Sequence, residues 1–457
     1  MNEETFDFKR GWPINPEAPD HSVEAKTSYI DNGTDLISPE RYYSREWMEK
    51  EWDCLWSKVW TFAGPVSDIP GIGDYFTYEL GHESFIVVRT DADTVKAFYN
   101  VCPHRGNRVV MNEMGSVADS FTCVFHSWQF NLDGTLKSVT DRETFREEVL
   151  SDEPGLTEVR CETWEGLVFI TMSEDAPDLQ DYLGILPEHV APYNISEMKL
   201  IRHLYVEWPV NWKTALDVFT ETYHVQGIHR EVLPFLDEYA SQLDLYEGGI
   251  SRMLLKFAAP SPRCQDQTTI TPELEDTLRE GGLDPEGFEG SAHDVRPRIQ
   301  EAKLERAEEY GLDYSMFTSN QLTDDWNYNV FPNTTMNLHP EGLNMQRLRP
   351  HPTDPEKYIY DTFLFANYVD VPGYQMPAYI RLAGGFDMSS DVRPPKRVIT
   401  YGDDGYGPIS DQDRDMLPFV QVGVKSHSFK GMRFSEQELR LRHFNKELDR
   451  YMDGKKW

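Results

Sequence analysis

Two loops decide the fold of this 457-residue chain: Cys102-Pro103-His104-Arg105-Gly106 and Cys123-Val124-Phe125-His126-Ser127-Trp128. Each loop offers one thiolate and one imidazole, with one residue between them in the first loop and two in the second. Sulfur and nitrogen ligands that two short loops present in pairs are typical of a metal centre. We therefore interpret Cys102, His104, Cys123 and His126 as one ligand set.

Two kinds of centre use two cysteines and two histidines. A tetrahedral zinc ion binds all four side chains, whereas a Rieske [2Fe–2S] cluster has one iron on two cysteines and the other on two histidines. A zinc finger carries its histidine pair on a helix, after both cysteines. Here cysteine and histidine alternate, and the flanking sequence has the glycine-broken texture of short strands. This order favours the Rieske cluster over zinc.

The residues around these loops indicate a small antiparallel β domain. Residues 61–172 read as short strands that glycine and proline interrupt, for example at 84–89. A helix is expected from about Pro39, because Ser38 can cap it and proline suits a first helical turn. The acidic residues 173–181 are the expected linker to the rest of the chain.

A second group of metal-binding side chains lies in residues 211–229. Asp217, Glu221 and His224 follow one another at spacings of four and three residues, which predicts one stripe of a helix. Both His224 and His229 can reach one metal only if that helix bends or stops, and we expect this at Gly227. Two histidines with a distant carboxylate form the facial triad of non-haem Fe(II) oxygenases.

Both groups resemble the sites of a known family. The Cys/His loops, with Phe130 and Gly134 beyond them, resemble the Rieske domain of ring-hydroxylating and related oxygenases. Neither loop has the additional cysteine that respiratory-chain Rieske proteins usually carry. The run from Asn211-Trp212-Lys213 to Glu221-x-Tyr223-His224-x4-His229 resembles the mononuclear-iron motif of their catalytic domains. Glu221 stands where many members have aspartate, and Val218 replaces a common asparagine.

The resemblance implies a role for each site residue. Cys102, His104, Cys123 and His126 are the implied ligands of one [2Fe–2S] cluster. His224, His229 and Asp413 are the implied ligands of one mononuclear Fe(II). Asp413 is preferred to Asp411 and Asp415 because the third ligand of the family lies shortly before a Val-Gln-x-Gly, here residues 420–423. Glu221 is the implied bridge from His126 of one subunit to His224 of the next.

The implied fold is α+β. It joins an N-terminal antiparallel β Rieske [2Fe–2S] domain to a helix-on-antiparallel-sheet catalytic domain of the helix-grip type. We expect an N-terminal arm over residues 1–38, the Rieske domain with its preceding helix over 39–175, and the catalytic domain over 176–457. Residues 260–312 are polar and rich in proline and glycine, and we interpret them as an insertion in the catalytic domain.

The implied function is the terminal oxygenase of a multicomponent system. Electrons from NAD(P)H reach it through a reductase, a ferredoxin or both, since the chain has no glycine-rich dinucleotide fingerprint. With O2 it hydroxylates, dihydroxylates or oxidatively dealkylates a small substrate, and the 13% aromatic content favours an apolar or aromatic one. The alternative substrates are alkylammonium compounds and aryl ethers, which would undergo N- or O-dealkylation. The subunits are expected to form a head-to-tail homotrimer.

Two interpretations from other classes compete with this one: an electron carrier that uses only the Rieske cluster, and a zinc-stabilised binding protein.

The composition of the chain limits which partners it can bind and in which compartment it is expected. A net charge of −34 opposes binding to nucleic acid or to anionic membranes. The start of the chain lacks the order of a signal peptide, and five cysteines in a long chain argue against a disulfide framework. A cytoplasmic protein is therefore expected.

Overall fold

A computed structural model describes residues 7, 11–372, 374, 376–377, 389, 392–403 and 405–454. They form two compact units. The small unit is Glu49–Tyr182 with Pro350–Thr353, and the large unit takes the described residues of Met1–Met48, Leu183–Arg349 and Asp354–Gly454. The sequence places its boundaries after residues 38 and 175, so both junctions differ, and the expected arm belongs to the large unit.

The small unit is the antiparallel β domain that the sequence predicts. Seven strands form a sheet in the order β1-β10-β9-β4-β3-β2-β5, and β6-β7-β8 form a second sheet of three strands. The strand bounds are β1 Thr61–Pro65, β2 Asp74–Leu80, β3 Glu83–Asp91, β4 Thr94–Tyr99, β5 Met114–Ser116, β6 Ser120–Thr122, β7 Gln129–Asn131, β8 Leu136–Ser138, β9 Glu158–Trp164 and β10 Leu167–Thr171. The two Cys/His loops flank β5 and β6, and both cysteines lie in the core cluster of this unit.

The large unit contains a sheet of eight strands in the order β12-β13-β14-β15-β16-β17-β11-β18. Its short edge strand β18 runs parallel to β11. The strand bounds are β11 Lys199–Trp208, β12 Leu236–Leu245, β13 Ser251–Phe257, β14 Asp325–Val330, β15 Thr334–His339, β16 Gly342–Pro350, β17 Tyr358–Ala366 and β18 Lys396–Val398.

Nine α-helices lie in the described residues, and none of these helices is long and apolar enough to cross a bilayer. Their bounds are α1 Arg45–Glu51, α2 Leu179–Leu183, α3 Leu186–Val190, α4 Trp212–Phe219, α5 Val225–Ile228, α6 Pro272–Glu280, α7 Ala292–Arg306, α8 Pro408–Gly423 and α9 Leu439–Met452. A capping box of Ser435 and Glu438 precedes α9. Helices α4 and α9 both contact one face of the eight-stranded sheet, through Asn327 and Ser251 respectively.

The helix expected from Pro39 is shorter than predicted. Pro39–Tyr42 is a 3-10 turn that Ser38 caps, as the sequence suggests. Tyr43 then leaves helical geometry at φ −149°, and α1 begins only at Arg45. A π-helical turn, Trp52–Trp56, follows α1 directly. The cap and the proline thus predict helical structure at this place but not the break.

The N-terminal arm hydrogen-bonds to strand β12 at the sheet edge. Gln242 Oε1 accepts from the backbone N–H of Ile14 at 2.7 Å, and Asp244 accepts from the N–H of Thr27 at 2.7 Å. Asp244 also forms a fully buried ion pair with Arg252, whose guanidinium donates to the carbonyl oxygen of Val23. Lys26 also donates to the carbonyl oxygen of Leu243, and Thr27 Oγ1 accepts the N–H of Leu245, so the arm satisfies backbone groups of the edge strand that would otherwise be open to pairing with another chain.

Residues 260–312 fold as two helices, α6 and α7, with their own apolar contacts. The buried side chains of this cluster are Ala258, Leu274, Leu278, Ala292, Val295 and Ile299. Arg296 of α7 binds Asp324 with two hydrogen bonds of 2.9 and 2.7 Å, directly before β14. The polar composition of this segment reflects its exposed faces, and the segment is not an irregular loop.

Candidate metal centres

The two Cys/His loops have the same backbone geometry. In each loop the cysteine N–H donates to the carbonyl five residues later, and the cysteine carbonyl accepts from the N–H four residues later. These bonds are Cys102–Asn107 at 2.8 Å, Gly106–Cys102 at 2.9 Å, Cys123–Trp128 at 2.9 Å and Ser127–Cys123 at 2.8 Å. The fourth position after each cysteine has positive φ, +74° at Gly106 and +60° at Ser127. This tight turn presents a cysteine and a histidine side by side.

The four predicted cluster ligands come together in the small unit. Cys102 and Cys123 are 2% and 1% exposed, while the rings of His104 and His126 lie 4.5 Å apart at the surface. Trp128 stacks on His104 at 4.8 Å, with only 6° between the planes, and fixes that ring. His104 Nδ1 is buried and has no hydrogen-bond partner among the described residues. A buried nitrogen without a donor or acceptor is suited to metal ligation.

Hydrogen-bond donors favour the thiolate of Cys123, whereas burial opposes that of Cys102. Burial raises the pKa of the Cys102 thiol to about 11. Burial also opposes ionisation of Cys123, but the backbone N–H of Phe125 and the Asn107 amide, 3.7 Å from its sulfur, help to lower its pKa. Donors aimed at sulfur stabilise a cluster of thiolates and tune its reduction potential. The donor set therefore fits a [2Fe–2S] cluster with two sulfur and two nitrogen ligands.

The second predicted ligand set converges in the large unit. Ligand atoms of His224, His229 and Asp413 all lie within 4.8 Å of one another. Asp413 Oδ1 is 3.1 Å from His229 Nε2 and 3.8 Å from His224 Nε2. His229 and Asp413 are 2% and 4% exposed. Two imidazoles and one carboxylate on one side of a common point fit a facial triad with open positions.

The helix that carries the first ligands ends earlier than predicted. Asn211 caps α4 by accepting the N–H of Lys213, but α4 stops at Phe219. The hydroxyl of Thr220 donates to the carbonyls of Leu216 and Asp217, and so competes for the last-turn acceptors. Glu221 therefore lies in a loop, and the helical stripe and the break at Gly227 are both wrong.

His224 and His229 instead flank a second, short helix, α5. His224 is its N-cap residue and His229 its C-cap residue. One helical turn between them brings their ring centroids to 5.1 Å. Thr222 fastens the preceding loop by donating to the carbonyl of Glu238 on β12. Two histidines five residues apart can therefore face one metal, because the helix between them starts at His224.

Gln421 places Asp413 beside the histidines. Its Oε1 accepts from the backbone N–H of Asn211 at 2.9 Å and from the Thr214 hydroxyl at 3.2 Å. Its Nε2 donates to the carbonyl of Tyr42 at 2.8 Å. Helix α8 is thereby joined to the start of α4, and Asp413 lies two turns earlier on α8. The Val-Gln-x-Gly motif therefore has a structural reason to accompany the third ligand.

The neighbouring aspartates are engaged elsewhere. Arg414 donates to Asp411 at 3.1 Å and to Asp415 at 2.9 Å. Asp415 is also 67% exposed at its side chain. Among the three candidates in this acidic run, the geometry favours Asp413.

Each histidine of the second site has a positioning partner on its far nitrogen. His224 Nδ1 lies 2.6 Å from Glu221 Oε1, and Glu221 Oε2 accepts the His224 backbone N–H at 3.1 Å. His229 Nδ1 lies 2.5 Å from Gln412 Oε1, and Gln412 donates to Glu231 at 2.6 Å. Such partners fix the tautomer that leaves Nε2 free for a metal. Sequence reasoning missed Gln412, although it directly precedes Asp413.

Asp217 contributes a buried carboxyl close to Glu221. It accepts the Tyr42 hydroxyl at 2.9 Å, while its Oδ1 has no partner among the described residues. Burial raises the pKa of Asp217 to about 7, and the charge of Glu221 acts in the same direction. Burial lowers the pKa of His224, but the hydrogen bond and charge of Glu221 outweigh it, and the net direction is upward.

Comparison with known proteins assigns both halves of the chain. Residues 59–151 match the family model of the Rieske [2Fe-2S] domain, and residues 195–454 match that of the ring hydroxylating alpha subunit (catalytic domain). The donor sets described above fit the two metal groups that these domains carry, a Rieske cluster and a mononuclear iron.

Curated relatives carry different activities in their names. The glycine betaine monooxygenase oxygenase subunit of Chromohalobacter salexigens is 34% identical over 185 residues, 40% of this chain and 41% of that one. The carnitine monooxygenase oxygenase subunit of Escherichia coli strain K12 is 34% identical over 194 residues, 42% and 51%. The biphenyl 2,3-dioxygenase subunit alpha of Rhodococcus jostii is 31% identical over 201 residues, 43% of each chain. The matched part of this chain thus spans about half the length of these relatives.

Solved structures share the fold over most of the chain. A quaternary ammonium Rieske monooxygenase has a TM-score of 0.65 at 17% identity, covering 93% of this chain and 100% of that one. A naphthalene 1,2-dioxygenase has a TM-score of 0.63 at 22% identity, covering 93% and 95%. The order of the two domains agrees with the two family models. The chain belongs to the family of ring-hydroxylating oxygenase alpha subunits, which join a Rieske [2Fe–2S] domain to a catalytic domain with mononuclear iron.

Proposed function

We propose that this chain is the terminal oxygenase of a multicomponent Rieske system. Electrons from NAD(P)H reach it through a separate reductase, a ferredoxin or both, and a small organic substrate is oxygenated with O2. The observation that carries the proposal is the convergence of His224, His229 and Asp413 in a chain that also brings together two cysteines and two histidines. An electron carrier has no use for the second ligand set.

The chemistry of O2 activation belongs to the iron that the triad would hold. The protein's own residues hold the ligands and the protons. Glu221 keeps the Nδ1 proton of His224, and Gln412 keeps that of His229, so that both Nε2 atoms face Asp413. His229 and Asp413 are buried, which limits the access of water from their side, whereas the His224 side chain is 21% exposed.

We further propose that subunits pair head to tail in a homotrimer. Beside His126, the side chains of Val124 and Phe125 are 71% and 55% exposed. On the catalytic domain, Phe419 of α8 is 72% exposed, on the helix that carries Asp413. Exposed apolar side chains close to a site are typical of interaction surfaces. In a ring, His126 of one subunit would donate to Glu221 of the next, and the electron path would be complete only in the assembly.

Iron content tests the proposal. The purified holoprotein should contain about three irons per chain, two in the cluster and one in the triad. Asp413→Ala should lose the mononuclear iron and all O2-dependent turnover while the cluster absorption stays, because Asp413 contacts only the second site. Asp415→Ala is the matched control and should keep all three irons. Two irons per chain in the unaltered protein would instead indicate an electron carrier, and zinc would indicate a binding protein.

A further inference from the structure

Strand β14 buries polar side chains on the face of the sheet that carries α4. Asp325, Asn327 and Asn329 alternate with Trp326 and Tyr328. Alternate residues of a strand point to opposite faces. Asn327 Nδ2 donates to the carbonyl of Phe219 at the end of α4, which assigns the polar row to that face. The aromatic row faces the other way, where Tyr328 meets His189.

The polar row continues across the neighbouring strands. Asn327 pairs in register with Asn337 of β15, and Asn337 pairs with Asn344 of β16. Asn327 Nδ2 also donates to Asn337 Oδ1 at 2.7 Å. In the next register position, Asn329 lies opposite Thr335, which donates to Gln346. A sheet face covered by helices normally buries apolar side chains, so a block of amides here requires a reason.

Three amide oxygens of this block accept no hydrogen bond from the described residues: Asn327 Oδ1, Asn329 Oδ1 and Asn344 Oδ1. Asp325 is not counted with them, because its Oδ1 lies 3.6 Å from His339 Nε2 and its carboxyl interacts with the charge of Arg440. A buried polar group without a partner costs about 1–3 kcal/mol of stability, so three together are a large uncompensated cost. A bound molecule that donates hydrogen bonds would remove it.

The block lies next to the iron ligands. Phe219, whose carbonyl receives Asn327, precedes Glu221 by two residues and His224 by five. The ring of Phe219 stacks on Tyr360 of β17 at 5.6 Å, and the charge of Asp413 contributes to raising the pKa of Tyr360. The unpaired oxygens and the stacked rings of Phe219 and Tyr360 therefore lie in the same part of the catalytic domain as the predicted iron ligands.

Resting on the proposed oxygenase function, we propose that the substrate carries a protonated amine with at least one N–H, which donates to the side-chain oxygens of Asn327, Asn329 and Asn344. Amide oxygens bind such a charged donor through hydrogen bonds that its charge strengthens. An aromatic hydrocarbon offers these oxygens no donor, and a quaternary ammonium has none at its nitrogen. Among the substrates that the sequence analysis expects, this class is nearer to the alkylammonium alternative than to an apolar or aromatic compound.

Binding to the oxidised holoprotein, without reductase, tests the proposal by calorimetry. The probes are trimethylammonium, N,N-dimethylbutylammonium and N,N-dimethylbenzylammonium, each compared with its N-methylated quaternary counterpart. In at least one size class the N–H compound should bind roughly tenfold to hundredfold more tightly, the worth of one or two charge-assisted hydrogen bonds. Asn327→Leu should abolish this preference, and so should Asn344→Leu, which does not touch α4. Met253→Leu, an apolar change in the same row as Asn327, should preserve it.

The outcomes separate this inference from the function on which it rests. Quaternary compounds that bind as tightly as their N–H partners in every size class would overturn the inference, and so would a failure of all probes to bind. A preference that survives both asparagine variants would also overturn it. O2-dependent oxidation of an added substrate, supported by a surrogate reductase, is measured separately. If the N–H preference is present without any turnover, the proposed function fails and the assignment of the binding group stands.

Discussion

At the scale of the residue, the most specific prediction concerns Glu221 and electron transfer between subunits. Its two oxygens accept from His224 within its own chain, and a carboxylate has further lone pairs for the N–H of His126 from a neighbouring subunit. Glutamine has one oxygen and one NH2 group, so one imidazole N–H would face a donor. Glu221→Gln should keep both metal groups and the trimer, but slow reoxidation of the reduced cluster by orders of magnitude in a single turnover with O2 and substrate.

Asp217→Asn is the matched variant for this measurement. Asp217 is also an acid of the same motif, and it accepts from Tyr42 rather than from a predicted metal ligand. Cluster reoxidation in Asp217→Asn should stay near the unaltered rate. If Glu221→Gln reoxidises its cluster at that rate too, Glu221 is not the bridge.

The cysteines allow a second test at this scale. Cys102→Ser should abolish the visible absorption of the cluster, because serine removes one of its two predicted sulfur ligands. The catalytic domain should stay folded and keep its mononuclear iron, since Cys102 contacts only the core of the small unit. Cys54→Ser is the control and should keep the full spectrum. A Cys102→Ser protein with an unchanged spectrum would contradict the ligand assignment.

The residues that sequence analysis could find are those whose chemistry is local. Cys102 and His104 lie in one loop, and His224 and His229 lie a few residues apart, so spacing alone joins each pair. Gln412 and Asn327 were not predictable in this way. Each acts through a partner far along the chain, Gln412 through His229 and Asn327 through Phe219. Only the folded chain shows that Gln412 reaches His229 and that Asn327 is buried.

At the scale of the element, the α6–α7 pair should behave as a packed subdomain. Leu278 is fully buried in its apolar cluster, whereas Leu304 of α7 is 49% exposed. Leu278→Ala should cost about 2–5 kcal/mol of local or global stability through the cavity that it leaves. The expected results are a lower unfolding temperature and faster proteolysis within residues 260–312, with both metal groups retained. Leu304→Ala should change neither, and equal behaviour of the two variants would contradict the packing.

Helices α6 and α7 and strand β14 were not predicted from the sequence, and their signals are obscured by burial that only the fold determines. Helices α6 and α7 bury a narrow stripe and expose the rest, so their mean composition resembles that of a loop. Strand β14 alternates polar and apolar residues like a strand with one solvated face, yet helices cover its polar side. The strands of the small unit and the capping box of α9 were predictable because their signals lie within a few residues.

At the scale of the whole molecule, charge and apolar surface act in opposite directions. A net charge of −34 makes copies of this chain repel one another at long range. Association therefore depends on short-range apolar contacts. On α8, Met416, Phe419 and Val420 are 45%, 72% and 45% exposed and recur at helical spacing, which places them on one face. Higher salt should accordingly favour the trimer by screening the repulsion.

The last prediction follows from this balance. Phe419→Glu places a charge in the proposed contact and adds to the net negative charge, so the holoprotein should sediment as a monomer with about three irons per chain. Its cluster should be reducible but should reoxidise slowly with substrate and O2, because no neighbouring His126 reaches Glu221. Met316→Glu, at a position that is 74% exposed and outside α8, is the control and should stay trimeric with normal reoxidation. A Phe419→Glu protein that remains trimeric would exclude this face of α8 from the interface. A monomer with normal reoxidation would instead show that electrons pass between the two centres without a neighbouring subunit.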